Sequence, residues 1–259
     1  MLRFRNLVRE LAITDFKLKY QGLALGYLWS LAKPLLLFAV LYIVFTRLIR
    51  LGDAIPHYAV YLLLGIVLWS YFLESTLVAM VSVVDRGDLI RKVYFPRIVI
   101  PIATSISSLI TLGLNLVVVF GFIVATGIGL RPILPLFALL LVELYLLSLG
   151  CSLLLAALYV RFRDIKPIWE VGLQLLFYAS PIIYPLTLVP TRFAGIMAMS
   201  PIAQIIEDSR KVLITQQALS TVDYVHWPLA LLPYLIPPAI FVVGYLYFES
   251  AAAKFAEEL

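Results

Sequence analysis

Apolar residues run along this chain in six long blocks, residues 34 to 49, 58 to 84, 98 to 126, 133 to 160, 168 to 189 and 229 to 248, joined by short connections that carry most of its charge. A bilayer's hydrocarbon core is about 30 Å thick and a helix rises about 1.5 Å per residue, so about 20 mainly apolar residues cross it. Five blocks reach that length alone. The first reaches it once Tyr27, Leu28, Trp29 and Leu31 are counted, which predicts a helix that begins before Pro34. The pattern predicts an all-α polytopic membrane protein with six transmembrane helices in a single domain, residues 1–259. Within it, residues 1–33 precede the spans, 34–189 hold spans one to five, 190–228 form an outer region, and 229–259 hold span six and a tail.

The segments between the blocks have patterns of their own. Residues 2 to 20 bring Phe4, Leu7, Val8, Leu11, Ala12 and Leu18 near one helical face, with Arg3, Arg5, Arg9, Lys17 and Lys19 around the rest. That distribution predicts an amphipathic helix lying in the membrane interface. Gly22 and Gly26 follow in GxxxG spacing, which permits close helix contact. The connection from Asp85 to Pro101 mixes charges with Leu89, Ile90, Val93, Tyr94 and Phe95, the composition of a short surface helix offering apolar knobs to a cytosolic partner, ended by Pro96. Pro181, Pro185 and Pro190 interrupt the fifth span and its sequel, which predicts a break or re-entrant turn near Ser180. Beyond them Ile202, Ile205, Ile206, Val212 and Leu213 predict short re-entrant or surface helices.

Composition narrows the class. The chain is 63% hydrophobic and 14% charged, with mean hydropathy +1.02, whereas soluble domains carry about 25% charged residues. Lys and Arg are concentrated in the segment up to Lys33, the connections around 85–97 and 161–167, and at Lys254, so both termini are expected in the cytoplasm. The net charge of +5 then reflects topology and anionic lipid headgroups and excludes nucleic acid as a natural partner. The N-terminus shows no cleavable signal pattern. Cys151, the one cysteine, allows no internal disulfide and has a packing role. No catalytic cluster, metal set or G-x-x-x-x-G-K-[ST] loop occurs, so the chain is expected to be no enzyme and to hold no cofactor, with ATP and Mg bound by another polypeptide if ATP drives it.

Polar groups inside the spans need partners, because a charge at the bilayer centre costs about 2.5–3.5 kcal/mol on insertion scales. Glu74 and Glu143 are the clearest cases, with Asn115 and Gln174 as neutral companions. They serve either a transport path or an inter-helix contact. Tyr42, Trp69, Tyr71, Phe72, Tyr178 and Tyr184 fall near span ends or the proline break, where they suit a sugar conduit or an aromatic interface belt.

Four segments, YQGLALGYLWSLAKPLL (Tyr20 to Leu36), RKVYFPRIVIP (Arg91 to Pro101), YVRFRDI (Tyr159 to Ile165) and SPIIYP (Ser180 to Pro185), resemble the permease subunits of ABC-2 type exporters, most closely those for polysaccharide and teichoic acid. Ser200 before Pro201 departs from the family's Asn. The resemblance implies a homodimer working with two copies of a nucleotide-binding ATPase subunit in the bacterial cytoplasmic (inner) membrane, moving a lipid-linked polysaccharide such as O-antigen. It further implies ATPase coupling through Asp88, Leu89, Ile90, Arg91, Lys92, Tyr94, Phe95 and Arg97. A cytoplasmic gate would carry Arg5, Arg9, Lys17 and Lys19. The substrate pathway expected is Tyr42, Trp69, Tyr71, Phe72, Glu74, Tyr178 and Tyr184, with residues 190–228 as an external gate. Wall teichoic acid export is the near alternative. An ion-coupled secondary transporter using Glu74 and Glu143, or a membrane scaffold, would be of another class.

Overall fold

The computed structural model describes residues 4–22, 26–50, 55–93, 95–129, 132–215 and 221–255, and every regular element among them is helical. In chain order these are α1 (Arg5–Tyr20), α2 (Leu28–Ile43) continued by a π-helical turn (Val44–Leu48), α3 (Tyr58–Asp85), α4 (Gly87–Lys92), α5 (Val99–Ala125), α6 (Leu134–Arg161), α7 (Ile165–Ala179), α8 (Thr191–Ala198), α9 (Pro201–Leu213), α10 (Thr221–Tyr224) and α11 (Leu232–Ala252). Among the described residues, five segments are long and apolar enough to cross a bilayer: Leu28–Leu48, Tyr58–Asp85, Val99–Ala125, Leu134–Arg161 and Leu229–Ala252. The expected fifth span is different. Its helix, α7, has 15 residues and so covers only about 22 Å, less than the bilayer core. It stops where the sequence placed the break: Ser180 is extended (φ −99, ψ 149), the region favoured by a residue that precedes proline.

Helix α3 is the axis of the molecule. Of its most apolar stretch 72% is buried in the protein, against 17% for Leu28–Leu48 and 22% for Leu229–Ala252, and it touches α2, α5, α6, α7 and α9. Residues Val60 to Trp69 are buried all round, the property of a helix with protein on every side. Helices α6 and α11 meet at backbone distance. A Cβ on Gly244 would lie 2.2 Å from the Gly150 carbonyl oxygen, and one on Gly150 would lie 2.6 Å from the Phe241 Cα. Small residues are what allow two membrane helices to approach this closely. Gly22 and Gly26, expected to serve such a contact, do not: both have positive φ (78 and 48) with open space where a Cβ would stand, so they are turn residues between α1 and α2.

Helix α9 is one of the short re-entrant or surface helices expected beyond the proline break. Ile202, Ile205, Ile206, Val212 and Leu213 are buried, and α9 lies among α3, α6 and α11. Its apolar stripe is covered by protein because its polar side chains find partners inside. Ser200, with Pro201 at the first helical position, begins this helix without a side-chain cap bond.

At one end of the bundle, Phe4, Leu7, Val8 and Leu11 of α1 pack on a cluster of Ile90, Phe95, Leu153, Val160, Phe248 and Phe255. Ala12 is buried, and α1 lies along α5. Leu18, placed on the same stripe by its spacing, is 59% exposed. The described first and last residues therefore share one end with the 85–97 connection. Gly244→Ala is expected to lower stability by about 1–3 kcal/mol through overpacking against α6. Gly121→Ala, in open space, should not. The thermal midpoint of detergent-purified protein measures both.

Candidate functional site

A cavity of about 590 Å³ opens between α2, α3, α5 and α7. Its wall is largely apolar, yet polar groups are set into every side of it. Trp29 and Lys33, one helical turn apart on α2, line it together with Trp69, Tyr71 and Glu74 of α3 and Glu170, Gln174 and Tyr178 of α7. The α5 wall is hydroxyl and amide: Ser108, Thr111 and Asn115. Asn115 Nδ2 donates to the carbonyl oxygens of Ser30 (3.2 Å) and Thr111 (2.9 Å), which ties α2 to α5 at the cavity's edge. Lys19 of α1 completes the lining, and its ammonium is ion-paired with Glu74. Apolar and aromatic surface with a few fixed polar groups is the lining expected of a binding cavity.

The structure divides the expected pathway residues. Trp69, Tyr71, Glu74 and Tyr178 line the cavity. Phe72 does not: it packs between Trp69 and Trp169, with ring centroids 5.8 and 6.3 Å away. Tyr42 belongs to an aromatic chain, stacked on Phe38 (5.5 Å) and Tyr58 (6.3 Å). Tyr184 folds back, its hydroxyl donating to the Tyr178 carbonyl at 2.7 Å. Glu143 meets Gln204, whose amide donates to it at 3.4 Å and to Asp208 at 2.9 Å, while Tyr234 donates to Asp208 at 2.7 Å. Both intramembrane glutamates therefore make inter-helix contacts, and Glu74 faces the cavity as well.

Of the expected gate cations, Arg5, Arg9 and Lys17 are exposed, and only Lys19 reaches the cavity. Asp15 of the same helix is ion-paired with Arg86 at the α3–α4 junction. In the expected coupling segment, Asp88, Arg91, Lys92 and Val93 are exposed, Leu89 and Arg97 are half-buried, and Tyr94 lies outside the described residues. Ile90 and Phe95 are buried against α1, α6 and α11. They anchor the segment and are not free as knobs, so its presented surface is mainly charged.

Sequence reasoning missed Arg210, which falls in the 190–228 region and was given no role of its own. Arg210 of α9 is completely buried. Its Nε donates to the Tyr61 carbonyl (3.2 Å), Nη2 to the Ile182 carbonyl (2.7 Å), and Nη1 to both the Pro181 carbonyl and Glu207 Oε1, the latter at 2.8 Å. The guanidinium also lies over the Tyr61 ring, 3.4 Å from its centroid. Tyr61 in turn donates to Glu207 at 3.1 Å, and Tyr58 donates to the Ile183 carbonyl at 3.0 Å. The Pro181, Ile182 and Ile183 carbonyls, left without helical partners by the break after α7, are thus bonded to α9 and α3. Gly65 makes room for this, since a Cβ there would stand 2.6 Å from Arg210 Nη2. The signal was present: Gln204, Glu207, Asp208 and Arg210 recur at helical spacing within an isoleucine-rich stripe.

Comparison with known proteins places the chain among relatives. Residues 6–214 match the ABC-2 type transporter family. The chain is 30% identical over 253 residues to "O-antigen export system permease protein RfbA" of Klebsiella pneumoniae, covering 95% of this chain and 92% of that one. It is 28% identical to a protein of the same name from Myxococcus xanthus, over 79% of each.

Replacing Arg210 by Met leaves Glu207 buried without its countercharge and the Pro181 and Ile182 carbonyls without donors. The expected loss is about 3–5 kcal/mol. Arg210→Lys should recover little of it, because an ammonium cannot reproduce the planar fork. Thermal midpoints of the two purified variants check this.

Proposed function

This chain belongs to the ABC-2 type transporter family and is a multi-pass membrane protein, and from that premise we propose that it is the membrane-spanning subunit of an ATP-driven exporter of a lipid-linked polysaccharide such as O-antigen. The family implies an ABC transporter with a partner nucleotide-binding subunit, which binds the ATP and Mg. The observation that carries the reading is the 590 Å³ cavity, whose tryptophan and tyrosine rings, hydroxyls and amides are set in membrane-spanning helices. Sugar rings pack C–H faces on such aromatics while their hydroxyls bond to serine, threonine and asparagine. The relatives' printed names, O-antigen export permeases, support the same substrate class.

Two copies of the chain form the working unit with two nucleotide-binding subunits. In support, the helices that flank the cavity carry exposed apolar side chains, Leu36, Val40 and Ile43 on α2 and Ile168, Val171 and Leu175 on α7. The end of the bundle that gathers α1, α4 and the last residues of α11 faces the cytoplasm of a bacterial inner membrane, in keeping with the concentration of Lys and Arg there. On that end Asp88, Arg91, Lys92 and Val93 are presented to the ATPase, held in place from behind by Ile90 and Phe95. The ion-coupled alternative fits less well, since Glu74 already has Lys19 as its partner.

Gentle purification of the tagged chain from its native membrane should recover a nucleotide-binding subunit in equal amount. The Arg91→Glu/Lys92→Glu variant leaves the buried anchors untouched and should lower that recovery about tenfold through charge repulsion. Repeated recovery of the wild-type chain in mild detergent with no ATPase would overturn the exporter reading.

A further inference from the structure

A serine or threonine hydroxyl inside a helix can bond back to a carbonyl one turn earlier. Thr76 does so to Phe72 (2.9 Å), Ser82 to Ala79 (2.7 Å), Thr104 to Ile100 (3.1 Å) and Ser108 to Thr104 (3.3 Å). Ser75 and Ser105, their sequence neighbours, do not, and neither does Ser148 of α6. None of these three hydroxyls has a hydrogen-bond partner among the described residues. All three are buried, Ser75 at 1% exposed and Ser105 and Ser148 at 0%. They share one neighbour. Each faces the hydroxyl of Tyr71, which also closes no hydrogen bond and belongs to a residue only 4% exposed. Tyr145, one turn before Ser148, faces Ser105 as well. Unpaired hydroxyls from α3, α5 and α6 are therefore gathered inside the bundle. Beside them Ser152, one turn beyond Ser148, donates to the Ser75 carbonyl at 3.3 Å and holds α6 against α3.

We propose that Tyr71, Ser75, Ser105 and Ser148 form a binding site for a buried water molecule at the junction of α3, α5 and α6. Polar groups this deep are costly unless paired, and buried side-chain oxygens in proteins nearly always are. Direct bonds do not pair this set, since the four oxygens face one another without closing one. A bridging water pairs groups placed in that way. Its two protons and two lone pairs offer one bond to each of the four hydroxyls, and buried waters make about three on average. A metal ion is the wrong occupant, because four neutral hydroxyls leave its charge uncompensated. An apolar occupant leaves every hydroxyl unpaired. The consequence falls on Tyr71, which also lines the 590 Å³ cavity. The water ties the hydroxyl end of this cavity-wall side chain to α5 and α6. Ser75, Ser105 and Ser148 are thus positioning residues that hold Tyr71 through the water.

The test is radiolytic footprinting of the full chain in phosphatidylcholine nanodiscs. X-ray pulses turn bound water into hydroxyl radicals that mark adjacent side chains, and mass spectrometry locates the marks. Tyr71 should be marked well above Tyr61, which is equally buried (3% exposed) but bonded directly to Glu207. In the Ser75→Ala/Ser105→Ala/Ser148→Ala variant the water keeps one of its four partners, against the usual complement of about three, and marking of Tyr71 should fall about fivefold. Marking of Trp69, which reports on water in the 590 Å³ cavity, should not change. The proposal is overturned if Tyr71 is marked equally in the variant, because the cavity's water then reaches it. It is overturned also if wild-type Tyr71 is marked no more than Tyr61. A cryo-EM map of the purified wild-type assembly gives a second measurement that does not depend on the variant. A peak about 2.5–3.0 Å from at least three of the four oxygens is expected. Serine hydroxyls turned back to carbonyls of their own helices, with no peak between them and Tyr71, would overturn the site.

Discussion

A helix that stops inside a packed bundle leaves backbone carbonyls without helical partners, and the structure depends on how those carbonyls are satisfied. The residue before Pro181 cannot readily stay helical, so α7 ends at Ala179. The carbonyls of Pro181, Ile182 and Ile183 then need donors from protein. Arg210 and Tyr58 supply them. Because a lone buried guanidinium would be prohibitively costly, Glu207 must lie beside it, one turn back on α9. Because both charges must be shielded, α9 must be drawn into the bundle. Its buried position among α3, α6 and α11 follows from the break at the end of α7 and not from its own modest hydrophobicity.

The same requirement shapes α3 and the cavity. Gly65 interrupts an otherwise large-residue helix because the guanidinium occupies the place of its side chain. With α3 fixed against the broken segment, Trp69, Tyr71 and Glu74 lie farther along it and reach the cavity wall. The break also fixes the end of α7, where Phe177 and Tyr178 close one side of the cavity and Tyr184 turns back to bond Tyr178. A half-length α7 is thus compatible with the polar cavity beside it, since irregular backbone is tolerated where protein encloses it.

The long spans were legible because bilayer thickness imposes a length and composition that few other structures need. The proline break was legible for a similarly local reason. What the sequence left ambiguous was depth and partnership. Arg210 read as a loop charge because a single arginine carries no mark of burial, and Ile90 and Phe95 read as exposed knobs because a short charged segment does not reveal which side faces its own protein. Gly22 and Gly26 had the spacing of a helix contact but lie in a turn, whereas Gly150 and Gly244, 94 positions apart, make the contact with no shared local motif. Among the aromatics, Trp69, Tyr71 and Tyr178 line the cavity and Tyr42 and Phe72 pack elsewhere, a division set by which neighbours each helix meets.

Charge has three energetic settings in this chain, set by how far each group is withdrawn from water. Arg91 and Lys92 stand in water, where an ion pair is worth about 0–1 kcal/mol and specificity toward a partner is the main return. Arg210 and Glu207 are buried together, and separating them would strand a charge at a cost of about 3–5 kcal/mol. Lys19 and Glu74 lie between these limits, about one-quarter exposed in the lining of the cavity. Solvent screens this pair in part, while the enclosing helices keep its ammonium and carboxylate facing each other.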